Sequence, residues 1–245
     1  MLTPSVYAKD LAIKSTLNLL PRPAIIIDAG CSNGFHLQDI DADMKIGLDL
    51  NPLLFNSNEH GIKCDIRSIP LKDNMAGCIV SLDVIEHIVE HDRVIAEFHR
   101  ILADNGVLVL TTPCDSDFIP YMKFRKLFQV NTTQMHQKWG HIRNGYSKHD
   151  LLELIEGHDF QILSYCTIYK PLVQVMDFPY TQLLGYLSRK PDSQLLISNL
   201  KNNTLTSIIE KIHDFFLKLL LSLVVPWIEN TRQDGFLHLV LSKKN

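Results

Sequence analysis

The chain has 245 residues, enough for one α/β domain with an elaboration and a substantial core but too few for two large independent domains. A formal charge of -3 and a pI near 6.4 give no broad cationic surface for phosphate backbones, so no nucleic-acid partner is expected. Cys31, Cys64, Cys78, Cys114 and Cys166 are odd in number, far apart and without a C-x-x-C pair, which argues against a disulfide framework or zinc knuckle and fits the reduced thiols of a cytoplasmic protein.

Residues 1–23 lack the basic-then-apolar order of a secretory leader, because Lys9, Asp10 and Lys14 interrupt the leucines; a short N-terminal helix is expected. Ala24 to Asp28 is a compact β-branched run that stops at a glycine-containing turn, as a buried parallel strand does. A second strand is expected over Lys45 to Leu50, followed through Asn51-Pro52 by a helix start, and a short third strand over Ile62 to Asp65. Ala76 to Leu82 reads as a fourth strand ending at Asp83. Ile88, Val94, Ile95, Phe98, Ile101 and Leu102 then recur at helical intervals. Asn105-Gly106 marks a break before a fifth strand from Val107 to Thr112, which Pro113 stops. Ser147 with Asp150 three residues on announces a helix, and Gly157 is a plausible stop. Strands over Phe160 to Tyr169 and Phe236 to Ser242 complete the set.

Strands alternating with helices imply an α/β fold with a mainly parallel sheet covered on both faces, whose ligand crevice lies beyond the carboxyl ends of the strands. The expected organisation is an N-terminal helix over 1–23, a main domain over 24–169 and 235–245, and a helical insertion or cap over 170–234. Ile208, Ile209, Ile212, Phe215, Phe216, Leu219, Leu220, Leu223 and Val224 give that insertion a broad apolar helix face. Its cover is expected to be the domain itself, a second copy forming a homodimer through 205–228, or a membrane surface or lipid-like acceptor, which keeps a membrane-peripheral placement open. Phe215 to Ile228 contains Lys218 and Pro226 and falls short of the roughly 20 apolar residues that span a bilayer.

The chemistry clusters at the strand ends. The run Asp28-Ala29-Gly30-Cys31-Ser32-Asn33-Gly34 places Gly30 at a tight turn and Gly34 where a helix can begin close to a ligand. Taken alone, it is also what any strand-to-helix turn requires. Asp49, ending the second strand, can accept hydrogen bonds from both hydroxyls of a ribose, and Asp65, ending the third, can reach an adenine amino group. A nicotinamide-binding G-x-G-x-x-G pattern would need glycine at Ser32 and Phe35 as well.

The order of five blocks, DAGCSNG, GLDLN, CDIRSIPLKDN, SLDVIEHI and EFHRILADNGVLVLTTP, resembles the class I S-adenosylmethionine-dependent methyltransferases, in particular the branch with the ubiquinone-biosynthesis-like, type 11 domain. The likeness covers roughly Ala24 to Tyr169. It implies a Rossmann-like, mainly parallel seven-stranded sheet, with S-adenosyl-L-methionine as cofactor. It also implies cofactor contacts from Asp28, Gly30, Gly34, Asp49, Asp65, Ile66, Ser81 and Asp83. The family usually has glycine where this chain has Ser32, and a serine fits that place at an ordinary φ.

Methyl transfer from a sulfonium is an in-line displacement that depends on positioning and water exclusion, so a base is optional. If the acceptor is a hydroxyl, His87 and His141 are the candidate bases, with Tyr146 on the same loop as His141. Asp83, Glu86 and His87 loosely match a metal-binding arrangement of some related O-methyltransferases, but no metal is assigned. The expected activity is methylation of a small-molecule or lipid-linked acceptor, at oxygen. A fold-retaining binding or regulatory module without turnover is the competing account.

Overall fold

The computed structural model describes residues 4–32, 34–37, 40–51, 59–114, 142–143, 145–168 and 236–244. A helix, α1, runs Pro4–Asn18, followed by β1 (Ile25–Ala29), β2 (Met44–Asp49), β3 (Glu59–Lys63) and β4 (Ala76–Leu82). After these come α2 (His91–Ile101), β5 (Leu102–Pro113), α3 (Lys148–Glu156), β6 (Phe160–Ile168) and β7 (Phe236–Lys243). The chain divides into two units, residues 13–167 with 235–245, and residues 1–12 with 168–234. Of the second unit only residues 4–12 and Ile168 are among those described. The expected helix after Asn51-Pro52 and the helical insertion at 170–234 lie outside the described residues.

The larger unit is built on one seven-stranded sheet in the order β3-β2-β1-β4-β5-β7-β6. β1 pairs parallel with β2 and β4, β2 with β3, and β4 with β5, while β7 enters antiparallel beside β5. The central strands are apolar at successive positions because both faces are covered. Ile27, Ile79, Leu108 and Leu110 turn to one face, where Val94, Ile95, Phe98 and Ile101 of α2 and Leu151 and Ile155 of α3 bury them. Ile26, Cys78, Val80 and Val109 turn to the other, against Ile13, Leu37 and Ile40.

Three local outcomes differ from the pattern read in the sequence. β3 occupies Glu59–Lys63 rather than 62–65, so Cys64 and Asp65 lie just past its end; the register is set by pairing with β2, Lys63 opposite Asp49. Asn105-Gly106 does not break the fifth strand, which runs from Leu102 through an irregularity between the Ala76–Leu102 and Cys78–Val107 rungs. Gly106 is required there because a Cβ would come within 2.9 Å of the carbonyl oxygens of Ala103 and Ala76. Ile88 precedes α2, whose buried stripe begins at Val94. Ser147 caps α3 as expected, its hydroxyl accepting from the Asp150 N–H at 3.1 Å. Gly157 is the C-cap residue but keeps a right-handed φ of -64°, and the left-handed turn falls on Asp159 at φ 57°.

Candidate cofactor site and its surroundings

The carboxyl ends of β1, β2 and β4 converge on the loop that follows β1. Gly30 takes φ +87° and Gly34 φ +69°, conformations in which a side chain is strained. The N–H groups of Gly30 and Cys31 both donate to the Leu48 carbonyl, at 2.7 and 3.1 Å, which pins the loop over the end of β2. A Cβ on Gly30 would lie 3.0 Å from Val84 Cγ1 and closer still to Cγ2, so the glycine is needed for space as well as for backbone conformation. Ser32 has φ 49°, so the ordinary φ at which a serine fits that place without strain is not the one it adopts. The reason is its N–H, which turns outward to donate to Asp49 Oδ2 at 2.9 Å.

Asp49 therefore joins the two loops: Oδ2 accepts from Ser32 and Oδ1 from the Asn51 N–H, also at 2.9 Å. Each oxygen of a carboxylate retains a further lone pair, so this carboxylate can brace the loops and still accept from a ribose. Asp28 sits on β1 at 2% exposure, beneath the loop. Burial, then the charges of Asp28 and Asp49, push the Cys31 thiol up to about 12. Asp65 follows β3 and is gripped by Arg67, which donates to Oδ1 from its backbone N–H (2.9 Å) and Nε (3.0 Å) and to Oδ2 from Nη2 (2.6 Å). That grip holds the Asp65 carboxyl below the usual carboxylate range. Ile66 is buried in the core beside it. Ser81 is fully buried and its hydroxyl donates to the Ala29 carbonyl at 3.1 Å, tying β4 to the base of the loop.

Beyond β4, Asp83 adopts φ 54° and is fixed by Thr111, whose hydroxyl donates to Asp83 Oδ1 at 3.1 Å and whose carbonyl accepts the Asp83 N–H at 3.0 Å. A 3₁₀ turn, Ile85–His87, follows. Glu86 is 0% exposed and accepts from the Thr112 hydroxyl at 3.3 Å. His87 is partly exposed, with Nε2 3.9 Å from Glu86 Oε1. Among the described residues no three His, Cys, Asp or Glu side chains form a metal-holding group. His141 lies outside the described residues. Tyr146, on the same stretch of chain, turns inward: it is 4% exposed and its hydroxyl donates to the Ile85 carbonyl at 3.3 Å. Thr111, Thr112 and Arg143 carry much of this geometry, yet no short-range sequence signal marks them, because each acts on a residue of another block; Arg67 grips Asp65 within its own block and also reaches Glu90.

The strand order, with one antiparallel strand slotted between the fifth and sixth, and a left-handed glycine loop meeting an acid at the end of β2, define a class I methyltransferase fold. Residues 7–165 match the family model of a methyltransferase domain, and the chain belongs to that family, whose cofactor is S-adenosylmethionine. It is 27% identical over 112 residues to a tRNA (carboxymethyluridine(34)-5-O)-methyltransferase of Arabidopsis thaliana, covering 43% of this chain and 28% of that protein. It is 30% identical over 104 residues to a Mycolicibacterium smegmatis protein described as a probable S-adenosylmethionine-dependent methyltransferase, covering 39% and 40%. The chain thus matches well under half the length of each of these relatives. Phosphoethanolamine N-methyltransferase 2 of Haemonchus contortus, solved with S-adenosyl-L-methionine, superposes with a TM-score of 0.59 at 12% identity over 100% of this chain and 54% of that one, a likeness of fold.

The residues present fit this cofactor. Gly30 and Gly34 hold the loop in left-handed conformations over the end of β2, with Gly30 packed against Val84, and Asp49 and Asp65 follow consecutive strands as carboxylates that would accept from a ribose and an amino group. Among the described residues, no helix is long and apolar enough to cross a membrane.

Proposed function

We propose that the chain transfers the methyl group of S-adenosylmethionine to an oxygen of a small or lipid-linked metabolite. The observation that carries the reading is the Asp49 carboxylate, held by Ser32 and Asn51 at the rim of the Gly30–Gly34 loop, where it can accept from both ribose hydroxyls. Asp28, Gly30, Gly34, Asp65, Ile66, Ser81 and Asp83 complete the proposed cofactor site, by contact or by bracing the loop. The acceptor is proposed to be small because Asp49 and Asp83 bring negative charge to the crevice rim while Arg67 is neutralised by Asp65 and Glu90. Such a rim repels a phosphate backbone.

In the proposed reaction the acceptor oxygen attacks the sulfonium methyl in line, the carbon–sulfur bond breaks toward sulfur, and S-adenosylhomocysteine leaves. His87 is the proposed acceptor of the hydroxyl proton, with the buried Glu86 carboxylate stabilising the imidazolium formed. His141 remains the alternative base from the sequence. A second reading, an RNA acceptor, draws on the Arabidopsis tRNA methyltransferase likeness. Formation of S-adenosylhomocysteine is to be followed with a metabolite extract, with a lipid extract and with bulk tRNA. Turnover in either of the first two supports the proposal; turnover on tRNA alone would replace it. Cofactor binding without turnover on any of the three would favour the non-catalytic module.

A further inference from the structure

Ile142, Arg143 and Tyr146 are stitched to the turn after β4 by a polar cluster that the proposed chemistry does not use. The Ile142 N–H donates to the Glu86 carbonyl at 3.2 Å. Arg143 donates from Nη1 to the Ile85 carbonyl and from Nη2 to the Val89 carbonyl, each at 3.4 Å. The same Nη1 donates to Tyr146 Oη and to His91 Nδ1, the latter at 2.7 Å, and the guanidinium carbon stands 5.1 Å from the centre of the Tyr146 ring. The His91 ring packs on Tyr146 with centroids 5.5 Å apart, and Tyr146 Oη lies 2.5 Å from Nδ1.

A guanidinium can only donate, so His91 Nδ1 accepts from Arg143 and, at 2.5 Å, from the Tyr146 hydroxyl in place of that hydroxyl's longer bond to the Ile85 carbonyl; the ring proton then belongs on Nε2, which faces Asp92 Oδ2 at 3.4 Å. Protonation at Nδ1 would set donor against donor and place a second positive charge beside Arg143. The turn so held is the one whose Val84 fills the space above Gly30 of the cofactor loop. A continuous line of contacts therefore runs from His91 through Arg143 and Tyr146 to Ile85, and from its neighbour Val84 to the loop.

We propose that His91, Arg143 and Tyr146 are positioning residues that press the Val84–His87 turn onto the cofactor loop, and that the grip on S-adenosylmethionine is full only while His91 Nδ1 accepts from Arg143. This inference rests on the methyltransferase reading. The charged and titratable groups around His91 are Asp92 on its own helix, Arg143 and Tyr146 on the segment before α3, His158 on the turn after α3, and Glu86 behind Tyr146. Burial, followed by Arg143, holds the His91 imidazole below its ordinary value, and Asp92 opposes this only in part. Burial also pushes the Tyr146 phenol up to about 12, so it stays protonated throughout the neutral range.

The test is calorimetric titration of the full chain with S-adenosylhomocysteine from about pH 8 to about pH 5.5. Wild-type affinity should fall toward the acid end of that range, approaching about tenfold per pH unit, the limiting slope for uptake of one proton, below the His91 transition. In His91→Asn the Oδ1 can accept from Arg143 but cannot be protonated, and the profile should flatten. A flat wild-type profile, or the same acid loss in His91→Asn, overturns the inference. Tyr146→Phe, which keeps the ring and removes the shared oxygen, should weaken binding at neutral pH while retaining the acid loss; unchanged binding also overturns it. The His91 ring resonances followed by NMR should titrate higher in Arg143→Gln than in wild type, a readout independent of the ligand, and an unmoved titration counts against the cluster. A wild type that binds at no pH overturns the methyltransferase reading together with this inference.

Discussion

Gly30→Ala tests the cofactor loop at its tightest point. The added methyl meets Val84 and is forced into φ +87°. Overpacking of this kind costs about 1–3 kcal/mol and a left-handed non-glycine residue about 1–2 kcal/mol, so the variant should lose roughly 2–5 kcal/mol. At about 2–4 °C per kcal/mol for a chain of this size, the melting temperature should fall by roughly 4–20 °C. Val84→Ala alone removes two partly buried methyl groups and should cost less than about 1.6 kcal/mol, the figure that two fully buried ones would carry. In the double variant the collision is relieved while the backbone strain stays. Urea unfolding of the four proteins in the cycle should therefore return a favourable coupling of about 1–3 kcal/mol, the overpacking share. If the two losses add within about 0.5 kcal/mol, the Val84 side chain does not occupy the space above Gly30, and the mechanical line from the post-β4 turn to the loop is wrong.

Ser32→Gly should stabilise the protein by about 0.5–1 kcal/mol, because relief of φ 49° exceeds the extra entropy of glycine in the unfolded chain. Thermal unfolding checks the sign, and destabilisation would mean Ser32 is not in the left-handed region. Asp49→Ala should weaken S-adenosylhomocysteine binding by about 10- to 150-fold, the equivalent of about 1.5–3 kcal/mol for charge-assisted hydrogen bonds, and calorimetry that finds unchanged affinity would place the ribose elsewhere. His99, whose ring meets Phe160 edge-on at 5.3 Å, is held below its ordinary value by burial and then by Lys243. The unfolded chain then binds the proton more readily, so this contribution to stability is complete above about pH 6.5 and is lost as the pH falls below it. The melting temperature should fall less steeply with acid in His99→Gln than in wild type; parallel curves would refute this.

How much of this was legible in the sequence depended on distance along the chain. β4 coincides with the run Ala76 to Leu82, and β1 is displaced by a single residue, because compact apolar runs bounded by turn residues determine a buried strand locally. The Ser147 cap was likewise local, a hydroxyl three residues from the N–H it accepts. β3 was misplaced because its register comes from β2 and its own residues, EHGIK, carry little apolar pattern. The conformation of Ser32 came from a carboxylate 17 residues away. Tyr146 is placed by the resemblance on the loop that the family uses for the acceptor, with His141; its partners Ile85 and His91 lie 61 and 55 residues back, where no spacing rule reaches.

The place of β7 has a consequence for how the molecule is made. Val107 pairs with Ser242 and Pro113 with Phe236, so every rung of that ladder joins residues far apart along the chain. β6, synthesised long before β7, has no seat beside β5 until β7 is inserted between them. The sheet can therefore close only as a late, non-local step, and until then the flank of β5 presents unpaired backbone groups to any other strand that reaches them.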